Sequence, residues 1–210
     1  MPDPQLPPVS AVSPVLVLPG LFGSGPDHWQ TRLEAAFPTA RRVEQRDWER
    51  PEREEWVATL DRAIRGCKSA PVLVAHSLGC VTAAVWAESR APGLVRGALL
   101  VAPSDVERPD GVPAIRGFAP IPMKPLPFPS ILVSSSNDPY LTVARSRELA
   151  AAWGSRWVDA GAAGHVNAAA GFGPWPGGRA LLEELLLPGA APMEKSARPT
   201  VHDRGRKIPD

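Results

Sequence analysis

Strand-length apolar runs alternate with amphipathic, helix-length segments along most of this chain, and this alternation constrains the fold more than any other feature. Consecutive strands joined by helices pack as a parallel sheet with helices on both faces. We therefore expect an α/β fold with three layers and a mostly parallel central sheet of about six strands. The pattern predicts strands at 15–18, 43–46, 71–74, 97–101, 130–134 and 156–158, and helices at 27–37, 52–65, 78–90, 142–153 and 178–187.

The first predicted helix carries its own start and stop signals. Asp27 and Gln30 have the spacing of a capping box, and Pro38 follows the last turn. We expect the helix to begin at this box.

The connection between the fourth and fifth predicted strands holds eight prolines from Pro103 to Pro129. This density is too high for a regular helix or a central strand, so the segment must cross the surface. Reactive side chains gather at the carboxyl ends of parallel strands. The segment is therefore either one wall of a pocket at that edge or a plain surface crossover.

The size of the chain suits one domain. It has 210 residues, of which 44% are hydrophobic, enough for a substantial core. Both ends are rich in proline and lack apolar periodicity. We expect a folded domain at 15–187, with tails at 1–14 and 188–210.

Composition disfavours several classes of partner. The 23 basic and 22 acidic residues are mixed along the chain and give a net charge of +1, so no broad field would attract nucleic acid or a membrane surface. The apolar runs are strand-length and the first residues lack a secretion signal, so we expect a soluble, cytoplasmic protein. Cys67 and Cys80 form no metal-spaced or redox pair, and the sequence predicts no metal and no cofactor. It does not indicate an oligomeric state.

A serine lies where a predicted apolar strand turns into an apolar helix. The segment 75–79 reads Ala-His-Ser-Leu-Gly, which is typical of a nucleophile elbow. The sharp turn tolerates only very small residues two positions from the serine, and Ala75 and Gly79 meet that demand, although glycine is usual in the first place. We expect Ser77 to be a nucleophile.

A serine hydroxyl needs a base to remove its proton, and a histidine base needs a carboxylate to orient it. Asp138 follows the predicted strand 130–134, and His165 follows the strand 156–158. The chain order of serine, acid and histidine is that of the α/β-hydrolase arrangement. Asp105, after the preceding strand, is a rival for the acid.

The other histidines are weaker candidates for the base. His202 lies in the predicted tail, and His76 is expected to point away from the serine beside it. His28 begins the first predicted helix, where it either lines the pocket or hydrogen-bonds the preceding loop.

Attack on a carbonyl also needs donors for the negative oxygen that forms. The amide of Leu78, at the start of the helix after the serine, is one candidate. The second is the amide of Leu21, because Gly20 allows close approach of the loop after the first strand.

These features together resemble the small α/β-hydrolases of the YdeN and retinoblastoma-binding-protein-nine type over about 15–187. Matching segments lie at 27–29, 47–51, 75–80, 164–167 and 171–176. The resemblance implies a compact serine hydrolase without a large cap domain, acting on small esters or amides. It also implies that Trp29, Trp48 and Trp175 could line the pocket, although large aromatics are more often core residues.

Two other interpretations use the same residues. A dinucleotide site is disfavoured because 20–25 reads G-x-x-G-x-G instead of G-x-G-x-x-G. The alternative to catalysis is a binding or regulatory protein on a hydrolase fold, with weak or no activity, since fold alone does not ensure chemistry.

Overall fold

The computed structural model of the protein describes residues 13–88, 90 and 92–187. The described residues form one sheet of six parallel strands in the order β2-β1-β3-β4-β5-β6. The predicted α/β fold is therefore confirmed. Apart from Ser13 and Pro14, the predicted tails lie outside the described residues, as does His202. The strands are β1 (Val15–Leu18), β2 (Ala40–Arg42), β3 (Val72–His76), β4 (Gly97–Val101), β5 (Ser130–Ser134) and β6 (Arg156–Asp159).

Helices cover both faces of the sheet and complete the three layers. One face packs against α1 (Trp29–Ala36) and α5 (Pro176–Leu186). The other packs against α2 (Arg53–Arg65), α3 (Leu78–Ala87) and α4 (Val143–Trp153). The helix predicted to run to Arg90 thus ends at Ala87, and the last helix begins at Pro176, two residues before its predicted start. Proline is favourable in a first helical turn, where its missing N–H needs no partner.

The central strands are mostly apolar because both of their faces are buried. Side chains alternate along each strand. In β1, Leu16 and Leu18 join the core under α2, α3 and α4, whereas Val15 and Val17 join the core under α1 and α5. All four residues are buried, so no polar alternation marks the strand in the sequence.

The second strand differs from its prediction. It was expected at 43–46 but is Ala40–Arg42, paired with β1 at the edge of the sheet. Two arginines are acceptable in this strand because their guanidinium groups find partners on neighbouring elements. Arg41 donates to the Ala63 carbonyl in α2, and Arg42 donates to Glu34 and to the Ser24 carbonyl.

The start of α1 also differs from its prediction. The expected capping box does not form: His28 is the N-cap, and its Nδ1 accepts a hydrogen bond from the Gln30 amide at 3.2 Å. Asp27 is exposed and pairs with Arg32. The Gln30 side chain is fully buried and donates to the carbonyls of Leu18 and Val74. Gln30 therefore joins α1 to β1 and β3 instead of capping its own helix.

The proline-rich connection after β4 runs over the surface, as predicted. Among the described residues, its regular structure is the short 3-10 helix Pro113–Phe118, whose Ile115 and Phe118 are buried. No cap domain is present in the described part of the chain.

Candidate active site

The candidate residues meet at one edge of the sheet because all strands are parallel. Ser77 directly follows β3, and the loops after β5 and β6 carry Asp138 and His165. The loop after β1 brings Gly20 and Leu21 to the same edge. Ser77 and His165, which are 88 positions apart in the chain, are thereby brought into contact.

Ser77 occupies a sharp strand-to-helix turn. Its φ of 55° and ψ of −122° lie in a region that residues with side chains rarely adopt. A Cβ at Gly79 would lie 2.3 Å from the Leu18 carbonyl oxygen, so only glycine fits there. Ala75 is fully buried in β3. The glycine two residues after the serine is thus explained by contact between this turn and the end of β1.

A continuous chain of hydrogen bonds links serine, histidine and aspartate. Ser77 Oγ lies 2.9 Å from His165 Nε2. His165 Nδ1 lies 3.0 and 2.9 Å from the two carboxylate oxygens of Asp138. The Asp138 side chain is 1% exposed, and its Oδ1 also accepts from the Tyr140 amide at 2.8 Å. Because a carboxylate only accepts, Nδ1 of His165 carries the proton and Nε2 is free to accept one from Ser77.

The rival carboxylate, Asp105, has different partners. Its Oδ1 accepts from the Glu107 amide at 3.2 Å, and its Oδ2 lies 3.8 Å from Nε of Arg145 in α4. These contacts make Asp105 a turn and ion-pair residue. Geometry therefore favours Asp138 as the partner of His165.

A cavity of about 210 Å³ opens beside Ser77. The proline-rich connection contributes Ser104, Val112 and Ile115 to its wall. Among the described residues, no lysine, arginine, aspartate or glutamate lines this cavity. Its lining consists of Leu21, Phe22, Gly23, His28, His76, Ser77, Ser104, Val112, Ile115, Tyr140, His165 and Asn167.

Three tryptophans lie elsewhere, which corrects the prediction that they could line this pocket. Trp29 and Trp175 pack edge to face and border a separate cavity of about 270 Å³ between α1 and α5. Trp29 also donates from Nε1 to the Val166 carbonyl at 2.8 Å, directly after His165. Trp48 packs edge to face against Trp56. Trp29 therefore supports the loop of the histidine without facing the cavity.

Two further histidines line the cavity and are held neutral. Burial lowers the pKa of His28 from 6.5 to about 4, with the charges of Arg42 and His165 adding to the effect. Burial also holds the pKa of His76 well below its usual value, and the charges of His165 and His28 lower this pKa further. His76 Nε2 lies 2.9 Å from the His165 carbonyl oxygen, so it donates there. His28 thus both lines the pocket and hydrogen-bonds within its own helix start, and His76 braces the backbone of His165.

Both predicted oxyanion donors lie close to Gly20: Leu21 follows it in the chain, and the start of α3 with Leu78 lies next to it in space. A Cβ at Gly20 would lie 3.2 Å from the Leu78 amide nitrogen, so the loop after β1 approaches the start of α3 closely. Neither the Leu21 nor the Leu78 amide donates a hydrogen bond to any described residue. Both N–H groups are therefore available to a substrate oxygen at this edge.

Strained backbone is concentrated at the same place. In the described part of the chain, four non-glycine residues have positive φ: Phe22, Ser77, Ala102 and Val166. Phe22 and Ser77 line the cavity themselves. Val166 lies between two residues of the cavity wall, His165 and Asn167, and Ala102 lies two residues before a third, Ser104. Strain of this kind persists where surrounding structure enforces it, and it clusters at functional sites.

Sequence reasoning missed two residues of the site. Ser104 Oγ lies 2.7 Å from Ser77 Oγ and is buried. The Tyr140 ring packs edge to face on His165 at 4.6 Å between centroids. Tyr140 follows Asp138 closely enough to be a candidate from the sequence, whereas nothing in the sequence distinguishes Ser104 from other loop serines.

Comparison with known proteins identifies the family. A family model described as serine hydrolase matches residues 15–184. The chain belongs to this serine hydrolase family. Among solved structures, one described as a YdeN-like hydrolase from Pectobacterium atrosepticum is 35% identical, covering 83% of this chain and 92% of its own, with a TM-score of 0.73. The predicted resemblance to YdeN-type hydrolases is confirmed.

Two solved structures of other proteins, with lower sequence identity, share the fold of this serine hydrolase. The ydeN gene product of B. subtilis is 20% identical, with 82% of this chain and 98% of that chain covered and a TM-score of 0.69. Esterase 2 of Thermogutta terrifontis is 19% identical, with coverage of 83% and 82% and a TM-score of 0.62. No curated protein matches the chain.

The described residues of this hydrolase lack two further features. They contain no group of three or more histidine, cysteine, aspartate or glutamate side chains arranged to hold a metal ion. None of their helices has the length and apolar character needed to cross a membrane.

Proposed function

We propose that this hydrolase cleaves small esters or amides through an acyl-enzyme formed on Ser77. The observation that carries the proposal is the hydrogen-bond chain from Ser77 Oγ through His165 to the buried Asp138. A serine becomes nucleophilic when a positioned base accepts its proton. In the proposal, His165 is that base, and Asp138 fixes its tautomer and stabilises its charged form.

The reaction proceeds in two halves. Ser77 Oγ attacks the substrate carbonyl while His165 Nε2 takes the serine proton, and the Leu78 and Leu21 amides donate to the negative oxygen. His165 then gives the proton to the departing alcohol or amine. Water attacks the acyl-enzyme with His165 again as base, which releases the acid and restores Ser77. Every catalytic group in this scheme is a protein side chain or a backbone amide, and the scheme requires no metal or organic cofactor.

The cavity supports an uncharged acyl group of modest size. Its volume of about 210 Å³ is below the range of about 300–1,000 Å³ that is typical of pockets for drug-sized ligands. Leu21, Val112 and Ile115 give it an apolar wall, and the two additional histidines carry no charge at neutral pH. A charged acyl group would lose hydration without gaining a partner.

A fluorophosphonate probe tests the nucleophile directly. We expect the wild-type protein to be labelled and Ser77→Ala to remain unlabelled and inactive towards chromogenic esters. Since Ser77 is buried and hydrogen-bonded to two side chains, thermal unfolding of the variant is measured as a check on folding. Labelling that persists in a folded Ser77→Ala protein would assign the chemistry to another residue. A folded wild type without labelling or turnover would instead favour a binding protein on this fold.

A further inference from the structure

Ser104 contacts the oxygen that would attack the substrate. Its Oγ lies 2.7 Å from Ser77 Oγ, on the opposite side of the hydrogen-bond chain from Asp138. Ser104 is 4% exposed and lines the same cavity as Ser77. No other hydrogen bond of the Ser104 hydroxyl occurs among the described residues.

The backbone holds Ser104 in this position. The Ala102 amide, at the end of β4, donates to the Val133 carbonyl at 2.8 Å, and Ala102 then turns the chain with a φ of 46°. On the other side of Ser104, the Asp105 amide donates to the Tyr140 carbonyl at 3.1 Å. Ser104 is therefore anchored to β5 and to the loop of Asp138 on either side.

The direction of the bond between the two serines follows from counting protons. Asp138 fixes the Nδ1 proton of His165, so Nε2 must accept, and the single Ser77 hydroxyl proton goes to His165. Ser77 Oγ can then only accept from Ser104. In the arrangement that is ready for reaction, Ser104 is the donor.

On the basis of the proposed function, we infer that Ser104 is a further catalytic residue, which donates a hydrogen bond to Ser77 Oγ during both acylation and deacylation. In deacylation, the bond between the acyl carbon and Oγ breaks, its electron pair returns to Oγ, and His165 returns the proton. A donor already aimed at Oγ stabilises the charge that develops there, because hydrogen bonds to charged oxygen are the stronger ones. Ser104 keeps its own proton throughout.

In acylation the bond between Ser77 Oγ and the acyl carbon forms instead of breaking. The Ser104 hydroxyl donates to the same oxygen in that step. The bond also fixes the rotamer of Ser77 so that Oγ stays between His165 and the cavity. This orientation would contribute through preorganisation.

Ser104→Ala, compared with Ser104→Thr, tests the assignment. A matched control exists at the far end of β5, where Ser130 Oγ and Ser155 Oγ form a second serine pair, also 2.7 Å apart. The Ser130→Ala variant removes an equivalent hydroxyl away from the site. Burst kinetics with p-nitrophenyl acetate separate acylation from deacylation, and the rate of fluorophosphonate labelling reports on Oγ itself.

We expect Ser104→Ala to lower kcat and the labelling rate about 10- to 100-fold with KM little changed, the size expected for one hydrogen bond to a developing charge. Ser104→Thr should restore most of the loss, and Ser130→Ala should react like the wild type. Unchanged or faster rates in a folded Ser104→Ala protein would overturn the inference. Unchanged rates would mean that Ser104 has no effect on catalysis, and faster rates would mean that Ser104 competes with His165 for the proton of Ser77. Failure of the proposed function is distinct, because the wild type itself would then show no Ser77-dependent turnover.

Discussion

Gly20 lies directly against Ser77. A Cβ at position 20 would come within 2.6 Å of the Ser77 Cβ and 3.0 Å of its Oγ. The loop after β1 and the turn after β3 are thus in contact at the point where the nucleophile and the Leu78 amide meet. The absence of a side chain at position 20 allows the Leu21 amide to approach the proposed oxyanion site.

Gly20→Ala is expected to impair catalysis more than folding. The added methyl group must displace either the loop or Ser77, and a misplacement of about 1 Å can cost on the order of 100-fold in rate. Overpacking of this kind costs about 1–3 kcal/mol in stability. Ester kinetics and urea unfolding measure both effects. Gly25→Ala is the control, because a Cβ at Gly25, in the same loop, would meet no atom within 4 Å. Equal kinetics for the two variants would show that close packing at Gly20 has no catalytic consequence.

Low pH is expected to destabilise the protein through its buried histidines. The folded-state pKa of His28 is lowered from 6.5 to about 4, so the unfolded chain binds more protons between these values. The free energy of unfolding therefore falls as pH drops through this window. At about 1.36 kcal/mol per pKa unit, the shift of His28 corresponds to a loss of about 2–3 kcal/mol on going from neutral pH to the folded-state pKa.

His28→Asn isolates this contribution. Asparagine can still cap α1 by accepting from the Gln30 amide, and it does not titrate. Urea unfolding at neutral pH and at a pH near the folded-state pKa of His28 should show a smaller loss of stability for the variant than for the wild type. Part of the loss should remain, because His76 is buried and neutral as well. Parallel pH profiles for the two proteins would contradict a neutral, buried His28.

Some residues of the candidate site can be predicted from the sequence and others cannot. Ser77, Asp138 and His165 were assigned from their places after apolar strands, because a parallel sheet brings all such loops to one edge. Ser104 follows a strand too, but it contacts Ser77 only because Ala102 turns the chain with a positive φ, and composition does not indicate that conformation. For Trp29 the sequence left both a pocket role and a core role open, because the orientation of α1 depends on the His28 cap and the buried Gln30.

The wall of the cavity should limit the length of the acyl group that the protein accepts in an ester substrate. Val112 is half-buried and lines the cavity, so a larger side chain there fills space next to Ser77. Val112→Trp should lower kcat/KM for longer acyl esters at least tenfold relative to the acetyl ester. One methylene group in an apolar pocket changes the discrimination between substrates, measured as kcat/KM, by about 10- to 200-fold. A panel of p-nitrophenyl esters of increasing acyl length measures this. Ala114→Trp is the control, because Ala114 is exposed on the same connection and does not line the cavity. The same chain-length profile in both variants would place the acyl group elsewhere.

The two aspartates near the site should respond very differently to the same substitution. Asp138→Asn keeps the shape of the side chain but lets an amide NH₂ face His165 Nδ1, which favours the wrong tautomer and removes the charge that stabilises imidazolium. Loss of such a carboxylate costs about 10⁴-fold in kcat in the serine protease triad, and we expect about 10³- to 10⁴-fold here.

Asp105→Asn should change kcat less than about threefold, because its carboxylate faces Arg145 and the Glu107 amide instead of His165. Steady-state kinetics of both variants with one chromogenic ester, with circular dichroism to verify folding, make the comparison. A large loss in Asp105→Asn beside a mild one in Asp138→Asn would assign the acid to the loop after β4. That result would also require His165 to leave the carboxylate that it contacts through both oxygens, so it would imply a rearranged site in the working enzyme.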